Sequence, residues 1–147
     1  MVEAGQVRCP LFHCPPAAEL PTAIAVQWVE AFNRRDIEGL LACVTDDIDL
    51  HPLTLRGFAQ RYRGRDGLRE WFGRLQDGHH EHRIALDAAR EVGGSAVFMS
   101  GMLMLAEGLA IGPICALHWI EHGLISATRE YHTDPETMER IGMIPRH

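Results

Sequence analysis

"ICALHWIEHGLISATREYHT", residues 114–133, is the stretch on which the fold turns. Two runs of apolar, β-branched and aromatic residues flank His122-Gly123, and such runs on either side of a short glycine-containing turn make a β-hairpin. The device occurs once more upstream. "HRIALDAAREV" (82–92) and "SAVFMSGMLML" (95–105) flank Gly93-Gly94 in the same way. Four hairpin-linked strands in a row predict an antiparallel meander.

Upstream of the meander the apolar period changes from two to helical. "TAIAVQWVEAFNRR" (22–35) puts Ile24, Trp28, Ala31 and Phe32 on one face, widened by Ala25 and Val29. Asp36 is placed to cap a second, short helix carrying Ile37, Leu40, Leu41 and Val44. "DDIDLHPL" (46–53) then alternates Ile48 and Leu50 with Asp47, Asp49 and His51, a strand that stops at Pro52. In "RYRGRDGLREWF" (61–72), Gly64 supplies a turn and Asp66 a cap, and Leu68, Trp71, Phe72 and Leu75 recur at helical spacing. The glycines and arginines of this stretch form no phosphate-binding loop, because no strand leads in and no Gly-Lys-Ser/Thr pattern follows. Past the meander, Asp134-Pro135 opens a terminal helix with Met138 and Ile141, and Gly142 stops it. This order is an α+β architecture, a cone-shaped curved antiparallel sheet packed on N-terminal helices. The apolar inside of such a cone is a usual place for a small ligand.

A chain of 147 residues can build one core unaided. Residues 1–21, with Pro10, Pro15, Pro16 and Pro21 and no periodicity, read as an N-terminal arm, and residues 22–147 as the domain. The formal net charge of −6 has the wrong sign for nucleic-acid binding through the overall field. No apolar run approaches the roughly 18 residues of a membrane span. The first residues lack a secretory pattern, so a cytoplasmic protein is expected. Cys43 and Cys115 lie in apolar runs and behave as small hydrophobes, and with Cys9 and Cys14 they imply no disulfide framework. "CPLFHC" (9–14) has no second ligand pair, and "DGHHEH" (77–82) reads as a solvated loop, so neither metal nor cofactor is expected.

Strand parity then selects candidate site residues. On a regular strand Ile125, Ala127, Arg129 and Tyr131 share one face and Ser126, Thr128, Glu130 and His132 the other. The wholly polar set is expected to look outward. Arg129 and Tyr131 would then enter the cone, and Arg129 would need a carboxylate or an anionic ligand there. His118 shares its face with Ile114, Ala116 and Ile120, as a candidate general acid or base. "FMSGMLML" (98–105) is apolar on both faces, which predicts a cover for the outer one, and a second copy of the chain is the expected cover.

Three segments carry a family likeness. "WVEAFNRRDIEGLLACVTDDIDLHP" (28–52), "YRGRDGLREWF" (62–72) and "GLISATREYHTDPETMERIGM" (123–143) resemble the nuclear transport factor 2-like superfamily in its SnoaL-like branch, over about residues 22–143. The resemblance implies a small-molecule-binding protein working by cofactor-free acid/base chemistry of a cyclase, isomerase or dehydratase type, or a non-catalytic binding or scaffold domain. The tyrosine of the superfamily's ketosteroid isomerases falls at Trp28, and their base at Pro52 beside His51. The Asp-Arg pair of its epoxide hydrolases has no counterpart, since Arg129 has Ala127 and Tyr131 two residues away. For the histidine and aspartate of its cyclases, His118 and Asp134 stand nearest. Strand parity and the resemblance together make His118, Arg129 and Tyr131 the candidate catalytic residues, with Trp28, His51, Tyr62 and Trp119 against the substrate.

Overall fold

The computed structural model describes residues 21–52, 61–77, 82–105 and 108–145. Within them the chain runs α1 (Pro21–Asn33), α2 (Ile37–Leu41), β1 (Val44–His51), β2 (Tyr62–Arg63), α3 (Gly64–Asp77), β3 (Arg83–Val92), β4 (Ala96–Met104), β5 (Ala110–Glu121), β6 (Leu124–Tyr131) and α4 (Pro135–Arg140). The proposed arm (all but Pro21), Cys9, Cys14, His79 and His80 lie outside the described residues.

The strands form one six-stranded sheet in the order β2-β1-β6-β5-β4-β3, curved but not closed. Strands β3 to β6 are the expected meander, whereas β1 lies parallel to β6, so the sheet is mixed. A parallel neighbour is available to β1 because α3 and strands β3 to β5 intervene before the chain returns beside it as β6. His122 (φ 53°) and Gly123 (φ 80°) both adopt positive φ, the backbone of a tight two-residue hairpin turn.

Curvature comes from slipped registers. Leu86 sits opposite Gly101 but Ala88 opposite Ser100, leaving Asp87 extra on β3. Ile111 is likewise extra on β5 and Ser126 on β6. Each bulge bends its strand and deepens the local twist. The sheet thereby wraps around α1 and α3, whose Trp28, Phe32, Leu68, Trp71 and Phe72 share one core with Leu50, Val97, Met99 and Ile125. The Asn33 side chain fastens α1 to edge strand β3 through both backbone groups of Ile84, donating to its carbonyl (2.9 Å) and accepting from its N–H (2.8 Å).

The two capping expectations at the short helices match the geometry. Asp36 accepts from Gly39 N–H at 2.9 Å and Asp134 from Thr137 N–H at 2.8 Å, and each carboxyl is held below its usual range chiefly by that bond. Asp66 differs. The third helix already starts at Gly64, whose φ of 74° makes the turn, so Asp66 lies in the first helical turn, fully exposed beside Arg69.

The outer face of the sheet is covered, over part of its area, by the chain itself. Met138 of α4 and Ile144 pack on Val92, Ala96, Phe98, Cys115 and Leu117, with Trp119 and Tyr131 at the margin. Arg90 ties this segment down by donating to the Pro145 carbonyl at 3.0 Å while lying over the Phe98 ring. The outer side of β4 thus meets the terminal segment at Ala96 and Phe98.

Candidate functional site

The bulge at Ser126 decides which side chains enter the curved sheet. Ile120 sits opposite Ile125, but Trp119 sits opposite Ala127, and the Ser126 hydroxyl donates to the Trp119 carbonyl at 3.2 Å. Past this extra residue the alternation of β6 is inverted. Thr128, opposite His118, and Glu130, opposite Ala116, face inward with the helices. Arg129, opposite Leu117, and Tyr131, opposite Cys115, face outward.

The expectation that Arg129 and Tyr131 enter the cone is therefore corrected, and so is the outward placement of Thr128 and Glu130. Arg129 is exposed, beside His51 of β1. Tyr131 and Trp119 border the outer cluster under α4. His51 also lies on the outer side, where its Nε2 comes within 3.4 Å of Asp49, a carboxylate held low by two Arg61 bonds of 2.8 Å each. Asp134 is occupied as a helix cap. None of these five side chains joins His118.

Trp28, Tyr62 and His118 do sit in the inner core. The imidazole of His118 has no solvent exposure, and Trp28 meets it edge-on, ring centroids 6.2 Å apart. Behind Trp28 the rings continue: Trp71 stacks on it at 6.1 Å with planes 8° apart, and Phe32 stacks on Trp71 at 6.1 Å. Tyr62 is buried at the β2 end of this layer, and its hydroxyl accepts a long 3.5 Å contact from Arg74, whose guanidinium lies over the ring.

The polar groups facing that aromatic layer are unusual in their bonding. Thr128 has no solvent exposure, and among the described residues its Oγ1 has no hydrogen-bond partner, nor has either ring nitrogen of His118. An unpartnered buried polar group costs about 1–3 kcal/mol, so two such residues side by side weigh appreciably on a domain of ordinary stability. Burial pushes the His118 imidazole down to about 4, which leaves it neutral at pH 7 with one nitrogen donating and the other accepting. One row along, Glu130 borders a cavity of about 10 Å³ whose other walls include Met99, Gly101, Ile114 and Ala116. That is room for about one water molecule.

The inner arrangement is a short polar track of imidazole, hydroxyl and carboxylate on two neighbouring strands, set against stacked indoles. It can accept a proton, donate one and orient an oxygen. Thr128 and Glu130 were missed from sequence because regular alternation sent them outward. The polar stretch Ser126, Thr128, Glu130 next to a hairpin was the available signal, had a bulge been allowed.

A family model described as SnoaL-like domain matches residues 25–128. Among solved structures, a candidate polyketide cyclase from Xanthomonas campestris pv. campestris superposes with a TM-score of 0.65 at 19% identity, covering 80% of this chain and 93% of that one. A candidate polyketide cyclase from Sinorhizobium meliloti gives 0.63 at 14% identity over 79% and 99%. An NTF2-like protein of unknown function from Burkholderia pseudomallei gives 0.64 at 19% over 87% and 99%. No curated protein matches.

Proposed function

The chain belongs to the SnoaL-like domain family, and from that premise we propose that it binds a hydrophobic, partly polar small molecule inside the curved sheet and acts on it by cofactor-free acid/base chemistry. The observation that supports this is the pair His118 and Thr128, buried, unpartnered and facing the Trp28–Trp71 stack. Neutral imidazole is the form able to take a proton from a carbon or oxygen acid. The imidazolium so formed would be unstable alone in this dry interior, and the anion developing on the ligand beside it offsets that cost. Thr128 holds the ligand oxygen, and the His118 imidazolium gives the proton back at the new position, which restores the neutral ring. Cyclisation, isomerisation and dehydration all need this pairing of base and acid.

The test begins with native mass spectrometry of protein purified from its own host, before and after denaturation, to identify any retained molecule. Turnover of that molecule should fall about 10²- to 10⁴-fold in His118→Phe. Unchanged turnover in a folded variant sinks the catalytic reading.

A second reading, a binding or scaffold domain without catalysis, is favoured by the packing among the described residues. There the tryptophans are stacked, and the cavity beside Glu130, about 10 Å³, has room for about one water molecule. In either reading we place the protein in the cytoplasm, which suits the free buried thiols of Cys43 and Cys115. We also infer a homodimer through the remaining exposed apolar surface, including Leu109 and Ile111. Sedimentation analysis decides between monomer and dimer.

A further inference from the structure

Every one of the fourteen basic residues in this chain is an arginine, and those in the described residues that touch the core are engaged away from the polar track. Arg35 donates to the His82 carbonyl at 2.7 Å and lies over Phe32. Arg74 donates to Glu70 at 2.8 Å and lies over Tyr62. Arg61 is bound to Asp49, and Arg129 and Arg63 are exposed on the outer side. Among the described residues, the inward positions of β3 to β6 carry no cation. Their polar complement is His118, Thr128 and Glu130, with the exposed Glu91 opposite Val97 at the strand end, and the remainder are glycine, alanine, methionine and branched aliphatic residues.

We propose that this interior selects an uncharged ligand, a compact apolar body bearing a hydroxyl or carbonyl, and rejects carboxylates and ammonium ions of the same shape. The inference rests on the reading that the inner face takes a ligand at all. A carboxylate placed against His118 would lose its hydration with no cation to replace it, and Glu130 one row away would add repulsion. An ammonium ion would lose hydration equally, and Glu130 already has an interaction of its own. A neutral oxygen, by contrast, fits a neutral imidazole that offers one donor and one acceptor and a hydroxyl that offers both. One ring nitrogen of His118 and the Thr128 hydroxyl are thereby satisfied without burying any charge.

Benzyl alcohol, benzoate and benzylamine are near-isosteric and carry charges of about 0, −1 and +1 at pH 7 by their ordinary pKa values. Each is titrated into the full-length, ¹⁵N-labelled chain, following the His118 imidazole nitrogens, assigned by their loss in His118→Phe, together with tryptophan fluorescence. Benzyl alcohol is expected to bind at least fivefold more tightly than either charged probe. The isosteric Thr128→Val should weaken benzyl alcohol roughly three- to tenfold, the loss of one hydrogen bond. Benzoate or benzylamine binding within fivefold of the alcohol, or more tightly, overturns the charge selection while leaving the binding site intact. No binding by any of the three to folded protein removes the inner binding site itself, and this proposal with it.

Discussion

Titration of His118 should set the upper acid limb of this protein's stability. Burial depresses its folded-state pKa from 6.5 to about 4, so between those values the unfolded chain binds a proton that the folded chain refuses. Stability therefore rises with pH through this window: the contribution is fully present above about pH 6.5 and is lost as pH falls toward 4. The side chain is wholly buried, with Trp28, Val97 and Thr128 as neighbours and Glu130 the nearest ionisable group along the track, so no solvent screening reduces the effect. The whole shift corresponds to about 3 kcal/mol, of which about 2 kcal/mol falls between pH 7 and pH 5. The capping and paired carboxylates Asp36, Asp49 and Asp134 have lowered pKa values and give up their contributions only near and below 3.8, outside that interval. Urea unfolding at pH 7, 6 and 5, followed by tryptophan fluorescence, measures the loss. His118→Phe keeps a ring against Trp28 and removes the titration, so the variant should lose about 2 kcal/mol less than the parent over the same interval. Parallel losses in the two proteins, within about 0.5 kcal/mol, would refute the argument that His118 is buried, neutral and unpartnered.

Two further outcomes follow from the same contacts. Thr128→Val replaces an unpartnered buried hydroxyl by a methyl of like shape and should stabilise the chain by about 1–2 kcal/mol, read as a raised urea midpoint at constant m; destabilisation would show that the hydroxyl is satisfied. Met138→Ala empties a fully buried position under the outer face and should cost about 2–5 kcal/mol by the same assay, whereas a cost below 1 kcal/mol would mean that α4 is not part of the packed domain.

Element order was legible in the sequence, apart from the two-residue β2, because the other strands and helices each carry their own period. Ile48 and Leu50 alternate, Leu68, Trp71 and Phe72 repeat at helical spacing, and the hairpin dipeptides stand where the chain turns. His118 was placed correctly on the inner face for the same reason, being on a stretch of β5 that keeps its alternation from Ile114 onward. The site beyond His118 was not legible, because parity carries no memory of an inserted residue. Ser126 adds one position to β6, and every side chain after it changes sides. A polar face was read as solvated because polar faces usually are. Here Thr128 from that face is fully buried against the core. The parallel pairing of β1 with β6 was equally hidden, since it joins segments distant in sequence through no local turn signal.

The inversion at Ser126 also accounts for how one short strand serves two unlike surfaces. Without the bulge, β6 would bury an arginine in an aromatic core and turn a threonine and a glutamate to water, a cheaper arrangement for Thr128 and a far costlier one for Arg129. With it, the guanidinium goes outside beside His51, Glu130 turns inward with an interaction of its own, and the unpartnered groups kept inside are neutral, an imidazole and a hydroxyl. Unpartnered neutral groups cost a domain a few kcal/mol and can be bonded again by a neutral ligand, whereas an unpaired guanidinium would demand a counter-charge at all times. The arrangement therefore concentrates its strain where binding can relieve it. Ligand affinity at His118 and stability gained by apolar replacement of Thr128 should consequently move in opposite directions.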